Sequence, residues 1–384
     1  MRMEQGSDTN PTAFECIADD GILRRVSEKD TLEEHITTGA TELKHDSYFH
    51  WLTSETLTKW WHDSGDPEEL RFALGHKACG VTTNPVLIYK TLSSQPELWA
   101  DGLRNIDPDM PPLGLAENRV KTVVQNAARE FESQHERSCG EIGYVCAQVC
   151  PGLLSDRDGM LDMARRFNRW APNIAVKLPA TLAGLDVLEE CISEGITIAA
   201  TVSFTVSQVL AIAERHRKGI ERAAKEGKSA GRCFAVIMIG RIDDYLREVA
   251  HDRKLGVTES DIQQAGLAIS KRAYSIYKER NYETTLLVAA LRGTYHMEGL
   301  AGAELIMSVH PKYQAMLLED GVSREVAIDQ PVATDAIERL MTVPEFVRAY
   351  EPDGMAEEDF LTFGATQKTL SQFNFAGWVP TESL

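Results

Sequence analysis

Short β-rich runs alternate with amphipathic, helix-like segments along most of this chain, and this alternation limits the possible folds more than any other feature. Most of the runs are nearly continuously apolar, as strands buried on both faces of a parallel sheet should be. Strands that alternate with helices favour a closed (β/α)8 barrel. The runs are 57–63, 79–85, 142–150, 173–180, 196–204, 233–241, 284–291 and 304–310.

The segments between these runs have helical spacing. Behind Ser155 and Asp156, which can cap a helix, Met160, Ala164 and Phe167 fall on one face. An open, doubly wound sheet is the alternative, but no Gly-x-Gly-x-x-Gly motif follows an early run. The fold class predicted is therefore α/β, a TIM barrel with additions at both ends.

These additions divide the chain into three predicted parts. Residues 1–56 form an N-terminal extension, residues 57–320 form the catalytic barrel, and residues 321–384 form a helical tail that packs on the barrel. A helical insertion, at about 92–138, separates the second and third strands. The first fifty residues are polar and acidic, and they fit either an arm or an extra helical layer.

Composition excludes several classes of function. With 384 residues, 43% hydrophobic and 26% charged, the chain resembles an ordinary globular protein. Its net charge of -18 argues against binding to nucleic acid or to an anionic membrane. No run is apolar enough for a membrane span, and the N-terminus lacks the apolar core of a secretory signal. The scattered cysteines show no paired framework, so we expect reduced thiols and a cytoplasmic location.

Polar residues at the carboxyl ends of barrel strands are the candidates for chemistry. Lys177 stands out among them because its neighbours in Asn-Ile-Ala-Val-Lys-Leu-Pro-Ala are apolar. Burial favours the neutral amine that a Schiff base requires. The alternative is a strand-end lysine that pairs with Asp63 or reaches solvent. The full set is Asp63, Thr82, Thr83, Asn84, Gln148, Lys177, Thr201, Ser203, Arg241, Arg292, Ser308 and His310.

Two of these candidates also have simpler interpretations. Asp63 is a natural general base, or else a helix N-cap, although Asp66 is better placed to cap. Asn84 belongs to an unusual run of hydrogen-bonding side chains, Thr-Thr-Asn-Pro, or else serves only as the turn residue before Pro85. Both interpretations stay open at this point.

The two arginines suggest a phosphate clamp. Arg241 and Arg292 end neighbouring strands, and barrels often bind phosphate on their late loops. The alternative is local ion pairing, with Asp243 or Asp244 as the partner of Arg241 and Glu298 as that of Arg292.

The motifs, taken in order, resemble the transaldolase family of class I aldolases. They are His-Asp-Ser-Gly-Asp (62–66), Gly-Val-Thr-Thr-Asn-Pro-Val-Leu-Ile (80–88), Val-Lys-Leu-Pro-Ala-Thr-Leu-Ala-Gly-Leu (176–185), Glu-Gly-Ile-Thr-Ile-Ala-Ala-Thr (194–201), Gly-Arg-Ile-Asp-Asp (240–244) and Ala-Ala-Leu-Arg-Gly (289–293). The resemblance covers about residues 57–320. It implies a barrel whose fourth strand carries a Schiff-base lysine, with no metal or cofactor.

The resemblance also implies roles for the candidates. Lys177 would attack the carbonyl of a ketose phosphate, and Asp63 would take the hydroxyl proton as the carbon–carbon bond breaks. Thr201 would hold the catalytic water. Apart from the resemblance, the amide of Gln148 can orient a water, with Thr201 as the second holder. The partner would be a small sugar phosphate of carbohydrate metabolism, and the oligomeric state stays open, a homodimer included. The residues expected to bind substrate are Asn84, Thr82, Thr83, Ser203, Arg241 and Arg292.

Several positions depart from the family pattern. Gln148 replaces the usual glutamate, and its Ala-Gln-Val run resembles the related fructose-6-phosphate aldolases. Those aldolases have a tyrosine where this chain has Met238. Ala199, Val236 and Ala290 replace an asparagine and two serines. The substrate shell is thus more apolar than usual.

These departures leave several functions open. The main prediction is transfer of a dihydroxyacetone unit between sugar phosphates. The alternatives are an aldolase that releases free dihydroxyacetone, a specialised sugar-phosphate aldolase, and a non-catalytic barrel that binds a sugar phosphate. A metal-dependent barrel hydrolase or class II aldolase needs several histidines and carboxylates at strand ends, where only His62, Asp63 and His310 qualify.

Overall fold

The computed structural model describes residues 47–319 and 321–384, together with the backbone of residues 15–17 and 23–25. The chain divides into two units, residues 1–43 and 44–384. In the first unit, the strands Glu15–Ile17 and Leu23–Arg25 form an antiparallel pair. Most of the predicted extension, 1–56, lies outside the described residues, so its boundary stays a prediction.

The second unit is built around eight parallel strands that close into a barrel. The last strand pairs with the first, with Ser308 opposite Trp61. The predicted (β/α)8 barrel is therefore confirmed, and the open-sheet alternative is wrong. In chain order the strands are β1 (Lys59–His62), β2 (Gly80–Val81), β3 (Tyr144–Gln148), β4 (Ile174–Pro179), β5 (Ile198–Thr201), β6 (Cys233–Met238), β7 (Thr285–Ala289) and β8 (Ile306–Val309).

Aromatic side chains fill the barrel interior near the amino ends of the strands. The ring centroids of Trp61 and Phe234 lie 4.8 Å apart, and those of Tyr144 and Phe234 lie 5.5 Å apart. Gly80 stands beside Trp61 because a Cβ at that position would come within 2.5 Å of the indole ring. The interior is thus packed at this level, as is usual in barrels of this size.

Helices surround the strands, and the sequence patterns explain where they form. Asp156 caps the helix Arg157–Asn168 by accepting a hydrogen bond from Gly159 N, and Met160, Ala164 and Phe167 are buried, as predicted. The helices from residue 48 to residue 317 are Tyr48–Glu55, Pro67–Gly75, Pro85–Ser94, Pro96–Leu103, Pro112–Arg137, Arg157–Asn168, Leu182–Ser193, Val206–Lys225, Ile239–Asp252, Glu259–Arg280, Thr294–Leu300 and Pro311–Leu317, with a 3-10 turn at Pro151–Leu153.

Two further helices and a helical tail extend the basic barrel. The helices Pro96–Leu103 and Pro112–Arg137 lie between β2 and β3, in the region predicted as an insertion. The tail ends close to the start of the helix Pro85–Ser94, because a Cβ on Gly377 would come within 2.5 Å of Pro85 C. The boundary predicted at residue 320 stays a prediction. The tail consists of Thr334–Leu340, Pro344–Tyr350, the 3-10 turn Glu357–Asp359, Gly364–Phe373, the π-helix Asn374–Trp378 and Val379–Glu382.

Two predictions from the sequence, the lack of a membrane span and the reduced cysteines, can be compared with the structure. Across the described ranges, no helix combines the length and the apolar character that crossing a bilayer demands. Cys139 is disulfide-bonded, so the prediction of reduced cysteines is wrong for that residue. The buried free thiols are those of Cys79, Cys146, Cys150, Cys191 and Cys233.

Candidate active site

A cavity of about 290 Å³ opens at the carboxyl ends of the barrel strands. Six of the twelve candidate residues line it, which brings the candidate nucleophile, base and cations together. Its lining is Asp63, Asn84, Lys177, Met238, Arg241, Ala289, Ala290, Leu291, Arg292, His310, Lys312, Tyr313 and Phe373.

A larger cavity, of about 460 Å³, lies at the opposite end of the barrel. Its walls include Lys59, Arg232 and Thr285, which stand at the amino ends of their strands or just before them. Chemistry in barrels of this kind is performed at the carboxyl ends, whereas the amino ends serve stability. The smaller cavity is therefore the candidate site, despite its size.

Lys177 lies inside the barrel on β4 with only 5% of its surface exposed. Its Nζ donates a hydrogen bond to the backbone oxygen of Thr83, 3.0 Å away. Within the described ranges Lys177 forms no ion pair, so the two simpler interpretations, pairing with Asp63 and reaching bulk solvent, do not describe it. A buried amine held at a cavity wall is suited to attack a carbonyl carbon.

Asp63 directly follows β1 and is half-buried beside the cavity. Its backbone N–H donates to Val309 O at 3.1 Å, which fixes the main chain against β8. Capping of the next helix is performed by Asp66, whose Oδ1 accepts from Glu68 N and Glu69 N. The capping alternative for Asp63 is therefore wrong, and its carboxylate stays available for proton transfer.

Two threonines behind the cavity serve to orient other groups. The Thr82 hydroxyl donates to Asp63 Oδ1 at 2.6 Å, and the Thr83 hydroxyl donates to Cys146 O at 2.8 Å. Both residues are buried, and neither lines the cavity. The direct substrate contacts expected of Thr82 and Thr83 have no support in this arrangement and stay predictions.

Asn84 has both of the roles considered for it. Its Oδ1 accepts hydrogen bonds from Val86 N and Leu87 N, each at 3.1 Å, so it caps the helix Pro85–Ser94. That contact uses only the oxygen of the amide, and the NH2 group keeps its two donors. Because Asn84 also lines the cavity, it can offer those donors to a bound hydroxyl group.

Gln148 and Thr201 are buried on the strands that flank β4. Gln148 stands opposite Lys177 in the strand register and is 5% exposed, and its Oε1 has no partner among the described residues. The Thr201 hydroxyl is 3.9 Å from Met238 Sδ, a weak acceptor. Both side chains can therefore still form hydrogen bonds with a water molecule, which the roles predicted for them require.

Ser203 is directed away from the predicted site. Its hydroxyl donates to the backbone oxygen of Val236, and its side chain is fully buried. It does not line the cavity. The substrate contact expected of Ser203 stays a prediction without structural support.

Arg241 and Arg292 both line the cavity, but their partners differ from those expected. Arg241 Nη1 donates to Gln372 Oε1 at 2.6 Å, and its guanidinium lies 5.1 Å from the centre of the Phe373 ring. Arg292 donates to Asp244 Oδ2 from Nε at 2.9 Å and from Nη2 at 2.7 Å. The pairing suggested for Arg241 with Asp244 is therefore wrong, as is that of Arg292 with Glu298.

The two guanidinium groups influence each other through their charges. Burial lowers the pKa of Arg241 to about 10, and the positive charge of Arg292 contributes to the same shift. The two positive charges repel each other, and a bound anion would relieve the repulsion. Arg292 Nη1 also donates to the backbone oxygens of Ala290 and Leu291, at 3.0 and 3.2 Å, and the phosphate clamp stays a prediction.

Sequence reasoning missed part of the cavity wall. Lys312 and Tyr313 come from the helix that begins after β8, and Phe373 comes from the tail. A signal for the first two was available, since the polar strand-end residue His310 directly precedes that helix. No local signal marks Phe373, because it reaches the cavity only through tertiary packing.

In the described part of the chain, no three His, Cys, Asp or Glu side chains converge in a way that could hold a metal ion.

Comparison with known proteins adds independent information to this geometry. A sequence model of the family described as transaldolase/fructose-6-phosphate aldolase matches residues 60–371. The chain belongs to this family. The family resemblance predicted from the motifs is thereby confirmed, and the match extends from β1 through most of the tail.

Three relatives show how far individual proteins differ in sequence from this chain. A transaldolase from Neisseria meningitidis serogroup A is 30% identical over 228 residues, which is 58% of this chain and 62% of that protein. A transaldolase from Thiobacillus denitrificans is 29% identical over 289 residues, or 66% of this chain and 78% of that protein. A protein named transaldolase 2 from Nostoc sp. is 26% identical over 217 residues, 52% of this chain and 56% of that protein. The match to the Neisseria relative thus spans less than two thirds of its length.

Proposed function

We propose that this protein transfers a dihydroxyacetone unit between sugar phosphates through a Schiff base on Lys177. The observation that carries the proposal is the composition of one cavity, in which a buried lysine and a carboxylate occur together with two arginines. The family and the relatives named transaldolase support the same reaction class. A ketose phosphate offers a carbonyl carbon to the lysine, a hydroxyl proton to the carboxylate and a phosphate to the two arginines.

In the proposed reaction, Lys177 attacks the carbonyl carbon of a ketose phosphate and forms an imine after water is lost. Asp63 then accepts a hydroxyl proton of the substrate. This hydroxyl is on the carbon that lies on the far side of the breaking bond, counted from the imine. That bond breaks, its electron pair moves toward the imine, and an aldose phosphate leaves. Thr82 supports this role by holding one carboxylate oxygen of Asp63.

The remaining residues would bind and position the substrate. Arg241 and Arg292 would bind the phosphate, since a guanidinium matches phosphate geometry with paired donors. The NH2 group of Asn84 would donate to a hydroxyl of the dihydroxyacetone unit. Thr201 and Gln148 would hold the water that is released and later consumed.

A second candidate is an aldolase that releases free dihydroxyacetone. It is favoured by Gln148, which provides an amide where transaldolases usually provide a carboxylate. Quantifying free dihydroxyacetone from a ketose phosphate, with and without an added aldose phosphate, separates the two. A transferase should release little without the acceptor, whereas an aldolase should release it at the same rate in both cases.

Borohydride trapping tests the main proposal. Reduction in the presence of ketose phosphates, fructose 6-phosphate among them, should add the mass of the ketose or of its dihydroxyacetone fragment to the peptide that contains Lys177. Lys177→Arg should abolish both trapping and turnover, because arginine stays protonated and cannot form the imine. Lys312→Arg is the matched control, since Lys312 is the other lysine on the cavity wall. Label on Lys312, or no label with any ketose phosphate, would refute the assignment.

A further inference from the structure

A buried aspartate–histidine pair lies directly behind Arg292. Asp243 Oδ2 is 2.9 Å from His296 Nε2, and the side chains of both residues are 0% exposed. The other ring nitrogen, Nδ1, is 3.2 Å from the backbone N of Arg292. The histidine therefore connects a buried carboxylate to the main chain of a residue on the cavity wall.

The series of hydrogen bonds runs from Arg292 N through the His296 ring to Asp243. Its donors and acceptors can be assigned from the two ends. A backbone N–H can only donate, so His296 Nδ1 accepts from Arg292 and carries no proton in this contact. Nε2 then carries the proton and donates it to Asp243. The second carboxylate oxygen, Oδ1, accepts from Gly266 N at 2.8 Å, so both oxygens of Asp243 are held. The pair is satisfied only in this one tautomer of the imidazole.

The neighbouring carboxylate holds the other end of the same arginine. Asp244 accepts two hydrogen bonds from the Arg292 guanidinium. Two consecutive residues of the helix Ile239–Asp252 thus fix the backbone and the side chain of Arg292, and the first turn of that helix carries Arg241. This helix sets the positions of both arginines relative to each other.

The loop that carries Arg292 also needs such support. Ala290 has a φ of +59°, in a region that residues other than glycine rarely adopt. Such a conformation persists only where surrounding contacts impose it. Gly240 N donates to Ala290 O at 3.1 Å, and a Cβ at Gly240 would overlap with that oxygen and with Arg292 Cγ. Arg292 Nη1 donates to the same Ala290 oxygen at 3.0 Å, so the contacts of Gly240, His296 and the Arg292 side chain together hold this conformation.

We propose that Asp243 and His296 are positioning residues, which hold Arg292 in the geometry that binds the phosphate of the substrate. The proposal rests on the proposed function insofar as that function supplies a phosphorylated substrate. The competing explanation is that the pair only joins the helices Ile239–Asp252, Glu259–Arg280 and Thr294–Leu300. A purely structural pair would affect stability and leave phosphate recognition unchanged.

Asp243→Asn is the decisive variant, because it keeps the size of the side chain and alters one hydrogen bond. If its oxygen still accepts from Gly266, its NH2 group faces His296 Nε2 and favours the tautomer with the proton on Nδ1. That proton would then face the Arg292 N–H, and the contact would be lost. We expect the preference for a phosphorylated ketose over the same ketose without phosphate, measured by kcat/KM, to fall by about tenfold or more, toward the value of Arg292→Ala. The double variant should lose little beyond Arg292→Ala alone.

Two readouts do not depend on turnover. Calorimetric binding of inorganic phosphate should weaken in Asp243→Asn, and the 15N spectrum of His296 should show the changed tautomer. Asp261→Asn is the matched control, since Asp261 is also buried but pairs with Arg339, away from the cavity. It should lose stability and keep both the preference for phosphate and the phosphate affinity of the wild type.

A second pair of variants covers the case in which Asp243→Asn does not fold. His296→Asn keeps an acceptor near the position of Nδ1, whereas His296→Leu has none, so the asparagine variant should retain more preference for phosphate. Equal preference in these two variants, or wild-type phosphate binding in a folded Asp243→Asn variant, overturns the proposal. Wild-type phosphate binding in Arg292→Ala overturns it as well. If the wild type binds phosphate through Arg292 but forms no imine, only the proposed function fails.

Discussion

The Thr82 hydroxyl donates a 2.6 Å hydrogen bond to Oδ1 of Asp63. A hydroxyl has one proton to give, so the 2.5 Å contact between Thr82 Oγ1 and Ser308 Oγ must take its proton from Ser308. The donors therefore point in one direction, from Ser308 through Thr82 to the carboxylate. This order holds the Asp63 carboxylate in place at the wall of the cavity.

Removal of the Thr82 hydroxyl should therefore slow the chemical step. Thr82→Val keeps the shape of the side chain and removes the donor, and we expect kcat to fall by about tenfold or more with little change in KM, the loss typical of a hydrogen bond to a charged group. Steady-state kinetics on a ketose phosphate measures both constants. Thr58→Val is the control, because the buried Thr58 hydroxyl donates to Ala303 O at the amino end of the barrel. A Thr82→Val variant with a raised KM and an unchanged kcat would indicate a substrate contact instead.

Either arginine of the clamp should be needed for recognition of phosphate. Arg241→Ala or Arg292→Ala should each cost about 1.5–3 kcal/mol of binding to phosphorylated substrates and leave the weaker reaction of dephosphorylated ones unchanged. The ratio of kcat/KM for the two kinds of substrate measures this directly. Arg222→Ala serves as the control, since Arg222 pairs with Glu190 on the outer surface. If the arginine variants slow both kinds of substrate equally, ion pairing is the better account of these residues.

Much of the barrel and its centre could be predicted from the sequence, for a physical reason. Strands buried on both faces must be almost wholly apolar, so eight such runs are visible and a charged residue within one is conspicuous. Lys177 on the strand Ile174–Pro179 is the clearest case. The barrel rule then brings the strand-end residues Asp63 and Asn84 to the same opening.

The partners of these residues could not be predicted in the same way. Asp243 and Asp244 are consecutive, yet one points into the helix packing toward His296 and the other toward Arg292, which depends on the exact rotation of a helix. Gln372 lies 131 residues beyond Arg241, the residue it contacts. Contacts of this range come from the packing of the tail, and no local pattern specifies them.

Buried histidines should make the protein less stable in mild acid. Burial lowers the pKa of His216 from 6.5 to about 4, and the same holds for His62. Between pH 6.5 and pH 4, each of these histidines binds a proton in the unfolded chain but not in the folded one. The stability they contribute is therefore complete above about pH 6.5 and falls as the pH drops toward 4. We expect His216→Gln to reduce the loss of unfolding free energy between pH 7.5 and pH 5 by about 1–2 kcal/mol. Urea unfolding at both values measures it.

The control for this prediction is an exposed histidine. His251→Gln should leave the pH dependence as it is in the wild type, because the His251 side chain is largely in solvent. An identical loss of stability in the wild type and in His216→Gln would show that other groups cause the acid sensitivity.

Gln148 is the position where the family pattern and the chemistry of this chain diverge. A Schiff-base cycle must move protons as the imine forms and is later hydrolysed, and a carboxylate can accept and return them. A glutamine can only orient a water by its amide. Its Oε1 has no partner among the described residues, and the hydroxyl of Thr201, on the other strand next to that of Lys177, has only the weak acceptor Met238 Sδ among them. We therefore expect slow chemistry on common ketose phosphates, limited by imine formation or hydrolysis.

Gln148→Glu should relieve this limit and raise kcat with little change in KM, the pattern of an interaction gained mainly in the transition state. The competing expectation is that a carboxylate at a site only 5% exposed is costly to bury, so that the variant loses stability and gains no rate. Gln208→Glu gives an upper bound on that cost, because Gln208 is fully buried and a glutamate there also loses the hydrogen bond that the amide donates to Val202 O. Single-turnover imine formation and thermal unfolding, measured on both variants, separate the two. A folded Gln148→Glu protein with an unchanged or slower rate would exclude a proton-transfer role at this position, whereas a faster one beside a merely destabilised Gln208→Glu would establish it.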